Sequence, residues 1–162
     1  MTVNVLLLGD PAGAAEAAAR TASRAGDDVG LVSTVLRPDE LRAVDSRVEE
    51  TREFGGVAVQ AFDEPLIVGA AVAQLSSFCD SVIVHHLDAW ADRLVEHHGD
   101  AWDRLEMEVA SMKTVLDAAL ADIVLVSAPA RAGDAPAARL HRRMLEVFGP
   151  YVTETVRLDG AA

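Results

Sequence analysis

The chain has 162 residues and carries 26 acidic against 14 basic side chains, which gives a formal net charge of −12 at pH 7. This balance argues against nucleic acid and against an anionic membrane surface as partners, because affinity for both comes largely from Lys and Arg on phosphates. The length fits one domain over residues 1–162, with enough residues to bury a hydrophobic core.

The chain opens with a short apolar run, residues 3–8, which stops at Gly-Asp-Pro and is followed by an Ala-rich segment. This pattern predicts a strand, a tight turn and a helix over residues 11–25, the opening unit of a parallel α/β sheet. In such sheets the crevice beyond the carboxyl ends of the strands is the usual ligand site, and a helix N-terminus there favours anions.

The turn after this first strand has the position of a phosphate loop without its chemistry. A phosphate loop reads G-x-x-x-x-G-K-[ST], in which the Lys reaches the β- and γ-phosphates and the hydroxyl holds Mg²⁺. This chain is one residue shorter between its glycines, with Ala where Lys and Ser/Thr belong and Asp where phosphate would lie. We therefore predict a degenerate phosphate loop made of Gly9, Asp10, Pro11, Ala12, Gly13, Ala14 and Ala15.

Apolar and turn-forming segments alternate along the rest of the chain. Strands are predicted over residues 28–34, 57–61, 80–85, 122–127 and 151–158, the second of these at an edge of the sheet. Helices are predicted from residue 37 to the Gly55-Gly56 pair, over 66–75, over 88–120 with a break near 98–100, and over 135–148. The predicted fold class is therefore α/β, with a mostly parallel sheet and helices on both faces.

Several stretches are similar, in the same order, to one enzyme family. Residues 5–19 resemble its phosphate loop and first helix, residues 32–42 (VSTVLRPDELR) its I-A-T-A-R-P segment, and residues 62–66 (FDEPL) its V-E-E-P-L. Residues 82–90 (VIVHHLDAW) resemble V-V-L-V-D-C-L-T-L-W, and residues 121–127 (ADIVLVS) resemble A-D-V-V-L-V-S-N. The family is the bifunctional adenosylcobinamide kinase/adenosylcobinamide-phosphate guanylyltransferases of cobalamin biosynthesis. The resemblance implies a P-loop NTPase-like fold and assembly as a trimer.

The departures from the family fall on its reactive residues. The loop Lys and Ser are replaced by Ala14 and Ala15, and the acidic residue expected to serve Mg²⁺ is His85. The guanylylated His of the family falls near Thr51-Arg52, and the N-E after the fifth strand is Ala128-Pro129. Charge clamps and activated nucleophiles supply much of the rate of phosphoryl and nucleotidyl transfer, so ordinary catalysis by this route is not expected. Binding of GTP or ATP is disfavoured for the same reason.

Two groups of polar residues are candidates for ligand contact. Four of them remain in segments where the family binds nucleotide, although caps and surface charges are the favoured explanation: Thr34, Arg37, Asp63 and Glu64. His85, His86 and Asp88 close the strongest strand, where a ligand contact and a simple polar strand end are both open. His85 and His86 would point to opposite faces if the strand continued, and no H-E-x-x-H or C-x-x-C pattern exists, so no metal site is predicted. Ser127 has no catalytic partner that the sequence identifies.

Apolar residues recur at helical spacing through residues 88–120: Trp90, Leu94, Trp102, Leu105, Val109, Met112, Leu116 and Leu120. This spacing is typical of a core or of a subunit interface. Because the family resemblance implies trimers, we expect a homo-oligomer, and this segment is the candidate interface.

Three functions stay open. The favoured one is a degenerate relative of the kinase/guanylyltransferases, a non-catalytic binding or assembly subunit. The sequence does not identify its small-molecule ligand, and a corrinoid and a nucleotide are the candidates. The alternatives are an active enzyme of corrinoid or nucleotide metabolism with altered chemistry at His85, His86 and Asp88, and a purely structural oligomeric protein. The chain lacks the basic start of a signal peptide and any stretch of ~20 apolar residues, so a cytoplasmic location is expected.

Overall fold

The computed structural model describes residues 2–35 and 50–158, which form a seven-stranded sheet flanked by helices. The strands are β1 (Asn4–Leu8), β2 (Val29–Ser33), β3 (Glu50–Phe54), β4 (Val57–Asp63), β5 (Ser81–His85), β6 (Asp122–Ser127) and β7 (Glu154–Arg157). The helices are α1 (Pro11–Ser23), α2 (Val68–Ser76), α3 (Leu87–His98), α4 (Trp102–Ala118) and α5 (Pro136–Phe148), and a 3₁₀ turn follows at Gly149–Tyr151.

The strand order is β3-β4-β2-β5-β6-β1-β7, and all neighbours are parallel except the antiparallel pair β3–β4. Every residue of β1 and β2 is buried, as expected for parallel strands covered on both faces. The predicted α/β class with a mostly parallel sheet is confirmed.

The direction of the crossovers decides which face each helix covers. From β1 to β2 the chain moves one way across the sheet, whereas the connections through α2, through α3 and α4, and through α5 all move the other way. Because such crossovers are right-handed, the reversal puts α1 on one face and the other four helices on the opposite face. Two core clusters show this division, since β1, β5 and β6 contribute alternate residues to each.

Helix α1 lies close to the sheet because its inner face is made of alanine. Ala14, Ala18 and Ala22 recur every four residues and are fully buried, in one core cluster with Ile83 of β5 and with Val124 and Val126 of β6, the strands that α1 crosses. The opposite face uses larger side chains, among them Trp90 stacked on Phe148 with ring centroids 6.3 Å apart. Burial of each such large side chain contributes about 1.5–3 kcal/mol.

Two predictions about the first half of the sheet are wrong. The segment before Gly55-Gly56 is not helical at its end, because residues 50–54 form β3; the predicted start of that helix lies outside the described residues. Gly55 and Gly56 have φ values of 56° and 85° and form the two-residue turn of a hairpin. Strand β4 is therefore interior, and the charged strand β3 is the edge.

The predicted break in the region 88–120 is confirmed, since α3 ends at His98 and Gly99 follows with a φ of 64°. The apolar stripe of this region lies in the chain's own core, where these members are buried: Trp90, Leu94, Leu105, Val109, Met112 and Leu116. Leu120, by contrast, is 89% exposed. The stripe therefore forms core, and assembly through it stays a prediction that the packing does not support.

No helix in the described part of the chain combines the length and hydropathy needed to cross a bilayer.

Candidate functional site

Six parallel strands, β1, β2, β4, β5, β6 and β7, end at one side of the sheet, which we call the carboxyl end. The chain leaves β1 toward the face of α1 and leaves the adjacent strand β6 toward the face of α5. Such a divergence between neighbouring parallel strands opens the crevice in which α/β proteins bind ligands. In this chain that position, which we call the crevice, is between Gly9-Asp10 and Ser127-Ala128, with His86 at the end of the next strand.

The turn from β1 to α1 consists of Gly9 and Asp10, because α1 already begins at Pro11. The N–H of Gly9 donates to the carbonyl oxygen of Ser127 at 2.9 Å, which ties the turn to β6. A Cβ on Gly9 would lie 2.8 Å from the Cβ of Leu158, so close packing requires glycine here. The first glycine of the predicted phosphate loop therefore has a packing role that is independent of any phosphate.

The rest of the predicted phosphate loop is the start of a helix. Five of its residues belong to α1: Pro11, Ala12, Gly13, Ala14 and Ala15. The N–H of Gly13 donates to the carbonyl oxygen of Asp10 at 3.0 Å, and a Cβ on Gly55 would overlap the carbonyl of Ala15. A loop that wraps a phosphate presents successive backbone N–H groups outside a helix. Here residues 11–15 are helical, and the β3–β4 turn packs against them at Ala15, so no such loop forms.

His85 ends β5 on the face of α1, in an aromatic and partly buried setting. Its ring centroid lies 5.1 Å from that of Phe54, and its Nδ1 is buried with no hydrogen-bond partner among the described residues. Burial, and then the neighbouring His86, lower the pKa of His85 to about 4 against the opposing effect of Asp88. His85 is therefore a neutral imidazole at physiological pH.

His86 follows His85 through a cis peptide bond, and the two ring centroids lie 4.9 Å apart in an edge-to-face arrangement. The strand ends at His85, so the alternation that would send the two side chains to opposite faces does not apply. The condition under which the two imidazoles were expected to point to opposite faces, a continuing strand, is therefore not met, and the two rings are in contact.

Thr34 holds the backbone of His86 with one hydroxyl. Thr34 Oγ1 donates to the carbonyl oxygen of His86 and accepts from its N–H, both at 2.7 Å, while the N–H of Thr34 donates to the carbonyl oxygen of His85 at 2.8 Å. Thr34 is fully buried. Buried backbone groups outside a sheet ladder need such partners, so Thr34 fixes the β5–α3 turn.

The imidazole of His86 is oriented by a carboxylate. His86 Nδ1 lies 2.9 Å from Asp88 Oδ1, and the same oxygen accepts the N–H of Ala128 at 3.0 Å. Burial alone would raise the pKa of Asp88, but the hydrogen bonds from His86 and from the Ala128 backbone lower it to about 2. Asp88 is therefore ionised at physiological pH and accepts a hydrogen bond from Nδ1–H of His86, so that in the neutral ring Nε2 carries the lone pair.

Arg131 joins the start of α3 to the start of α5. Its guanidinium donates to the carboxylate of Asp92 at 2.8 Å and to the carbonyl oxygens of Asp88 and Ala137 at 3.3 and 3.1 Å. These contacts hold the loop after β6 over α3, beside the His86–Asp88 pair. Arg131 therefore has structural partners that account for its place at the site.

Asp63 and Glu64 have local structural roles. Asp63 forms a two-pronged ion pair with Arg52 across the β3–β4 hairpin, one arm at 2.9 Å. Glu64 Oε1 accepts the N–H groups of Leu66 and Ile67, each at 3.0 Å, just before α2 begins. For both carboxylates the contacts favour the sequence-based alternative of caps and surface charges over contact with a ligand.

Ser127 has a partner that the sequence did not reveal. Ser127 Oγ lies 2.6 Å from His141 Nε2 and donates to the carbonyl oxygen of Ala128 at 2.8 Å, and both side chains are fully buried. A signal was present, because His141 recurs at helical spacing with Ala138, Met144 and Phe148 on the buried face of α5. A histidine on that stripe predicts a buried polar contact.

The structure brings Thr34, His85, His86 and Asp88 together at the end of β5 and leaves Asp63 and Glu64 at the end of β4, each with its own partner. Arg37 lies outside the described residues. Among residues 2–35 and 50–158, no group of three or more His, Cys, Asp or Glu side chains could hold a metal ion. The candidate site therefore consists chiefly of two imidazoles: that of His86, which Asp88 orients, and that of His85, which is neutral.

The fold and site define an α/β protein with a mostly parallel sheet and a histidine-centred crevice at the carboxyl end. No protein-family model matches the chain, and no curated protein sequence matches it at a significant level. The resemblance to the cobinamide kinase/guanylyltransferases stays a prediction.

Proposed function

We propose that this chain is a degenerate relative of the bifunctional cobinamide kinase/guanylyltransferases that binds a small molecule, or supports assembly, without transferring phosphoryl groups. The P-loop NTPase-like fold, the corrinoid or nucleotide ligand and the oligomer are parts of this proposal. The observation that carries it is the two-residue turn Gly9-Asp10 between β1 and α1.

Two features of the Gly9-Asp10 turn and the helix after it support the loss of phosphoryl transfer. Phosphoryl transfer depends on positioned cations and backbone donors around the phosphates. Residues 9–19 contain no Lys or Arg, and Asp10 brings an exposed acidic side chain to the place where a triphosphate would lie. Ala14 is buried against the sheet, so its position offers no path for a side chain into the crevice.

The experiment combines calorimetry with an activity assay on the full chain. MgATP and MgGTP are titrated into the protein, and cobinamide is incubated with each nucleotide while phosphorylated product is measured by mass spectrometry. We expect no product and no binding tighter than the millimolar range. Phosphorylated cobinamide, or micromolar binding of either magnesium nucleotide, would contradict the proposal. Titration of cobinamide alone, followed by its visible absorption, tests the corrinoid ligand.

A second candidate is an enzyme with altered chemistry, and the His86–Asp88 pair at 2.9 Å favours it. An imidazole whose Nδ1–H is held by a half-buried carboxylate is the arrangement of a general base. Hydrolysis of nucleotides and phosphate esters by the purified chain, compared with His86→Asn and with the matched exposed variant His97→Asn, tests it. We expect any turnover to disappear in His86→Asn and to persist in His97→Asn, and equal turnover in both would remove this candidate.

A further inference from the structure

A second polar pair lies behind Asp88, in the interior between β6 and α5. Ser127 and His141 are fully buried, and their side chains meet at 2.6 Å. Burying two polar side chains in a core lowers stability unless their hydrogen bonds are made, so the pair needs a reason. The contacts give one: Ser127 is bonded to Ala128, and Ala128 in turn is bonded to Asp88 of the His86–Asp88 pair.

The direction of the hydrogen bonds follows from what each atom can do. The carbonyl oxygen of Ala128 can only accept, so it takes the single proton of Ser127 Oγ. His141 Nε2 must then donate to that oxygen, which assigns the Nε2–H form to His141 and leaves its Nδ1 as an acceptor. Burial, and then Arg131, lower the pKa of His141, in agreement with a neutral ring.

These bonds form a continuous path from α5 to the crevice. His141 meets Ser127, whose hydroxyl fixes Ala128 at 2.8 Å; the N–H of Ala128 donates to Asp88 at 3.0 Å, and Asp88 accepts His86 Nδ1–H at 2.9 Å. Each member fixes the orientation of the next. Loss of the Ser127 hydroxyl would free the Ala128 backbone to turn, and Asp88 would lose its second donor.

We propose that Ser127 and His141 are positioning residues that hold His86 in its Nδ1–H form, so that its Nε2 accepts a hydrogen bond from the hydroxyl group of a ligand in the crevice. This inference deepens the second proposed function and rests on it for its biological use. Nucleotide binding at the β1–α1 turn does not enter it, so its success or failure is independent of the first proposal.

The test reads the tautomer of His86 directly. The full chain is labelled with ¹⁵N-histidine, and the five imidazoles are assigned by single His→Gln variants. Spectra are recorded at about pH 8.5, well above the ordinary pKa of histidine. In the native chain we expect His86 to carry its proton on Nδ1. In Ser127→Ala we expect at least half of the His86 population to move to the Nε2–H form.

Two comparisons separate positioning from general damage. Ser81 is another fully buried serine on the sheet, and its Oγ has no partner among the described residues, so Ser81→Ala is the matched control and should leave His86 unchanged. His141→Gln keeps an N–H donor for Ser127 and should retain the native tautomer, whereas His141→Leu should lose it. Thermal unfolding by circular dichroism identifies the variants that are folded.

The outcomes decide the proposal in either direction. A folded Ser127→Ala chain with His86 still on Nδ1–H overturns it, and so does a native chain with the proton on Nε2. If Ser127→Ala does not fold, Ser127→Cys, whose thiol is a weak donor, replaces it under the same criterion. Equal spectra for His141→Gln and His141→Leu would remove His141 from the path.

Discussion

The two strand-to-helix turns on either side of β6 are built in different ways. After β1, Gly9-Asp10 makes backbone contacts and packs on Leu158, and its acidic side chain is exposed. After β5, the backbone and side chain of His86 engage Thr34, Asp88 and, through Asp88, the loop after β6. Buried polar networks are expensive when incomplete, so a chain keeps them where geometry matters. The side-chain hydrogen bonds are therefore concentrated at the β5–α3 turn, which makes it the stronger candidate for a functional site.

The sharpest way to break this comparison is to restore the missing lysine. Ala14→Lys buries an ammonium group and its stem between α1 and the sheet, where Ala14 has no exposed surface. We expect the free energy of unfolding to fall by about 3–5 kcal/mol and MgATP binding to stay absent. Denaturant unfolding and calorimetry measure the two effects.

The matched control introduces lysine at the preceding position, Gly13. A side chain on Gly13 would meet nothing within 4 Å, so Gly13→Lys should change stability by less than about 1 kcal/mol. MgATP binding in either variant would show that the turn is still able to hold a triphosphate.

Removal of the Thr34 hydroxyl should lower the free energy of unfolding almost as much as Ala14→Lys does. Thr34→Val keeps the shape of the side chain but leaves the N–H of His86 without its partner, while the carbonyl oxygen of His86 keeps only the N–H of Trp90. Since an unsatisfied buried group costs about 1–3 kcal/mol and a lost hydrogen bond about 0.5–1.5 kcal/mol, we expect a loss of about 2–4 kcal/mol in urea unfolding. Thr34→Ser retains the hydroxyl and should recover most of it. Equal stability of the Val and Ser variants would show that the turn does not depend on this bond.

The pH dependence of stability should report His85. Its pKa is lowered from 6.5 to about 4 in the folded chain, so the unfolded chain binds the proton first as the pH falls. Stability is therefore lost progressively between pH 6.5 and 4, by about 3 kcal/mol at most from this group. In His85→Phe, which packs beside Phe54, the loss over this window should be smaller by about 2–3 kcal/mol. An unchanged pH profile would place His85 in water.

Asp88 titrates in a lower and separate window. Its pKa is lowered from 3.8 to about 2, so its contribution is fully present above pH 3.8 and is lost as the pH falls through 2. Asp88→Asn should therefore lower stability by about 1–2 kcal/mol at neutral pH and by almost nothing below pH 2. A cost that does not depend on pH would assign the effect to packing.

The smallest effect on stability is expected at the β1–α1 turn, Gly9-Asp10. Asp10 is exposed, and Asn keeps a side-chain oxygen able to accept the same hydrogen bonds. Asp10→Asn should therefore change the unfolding free energy by less than about 0.5 kcal/mol. A loss as large as that of Asp88→Asn would make the two turns equivalent.

The sequence predicted much of the scaffold. The apolar runs of β1, β2, β5 and β6 and the turn signals between them were sufficient, because strands buried on both faces need nearly continuous apolar residues. The hairpin was missed because β3 is an exposed, charged edge strand whose residues carry no such signal. The Gly-Gly pair before β4 fits a helix end and a hairpin turn equally well until its partner strand is known.

The candidate site divides in the same way. The sequence by itself placed His86 and Asp88 just after a strongly apolar strand, and it showed that residues 9–19, at the turn after β1, contain no Lys or Arg. Both features can be recognised from residues that are adjacent in the chain. The tertiary structure alone decided that Asp88 meets Ala128 and that Ser127 meets His141, because residues 40 and 14 positions apart come together only when crossovers pack on the sheet. Hydrogen-bond partners depend on distances of a few tenths of an ångström, which local sequence patterns do not encode.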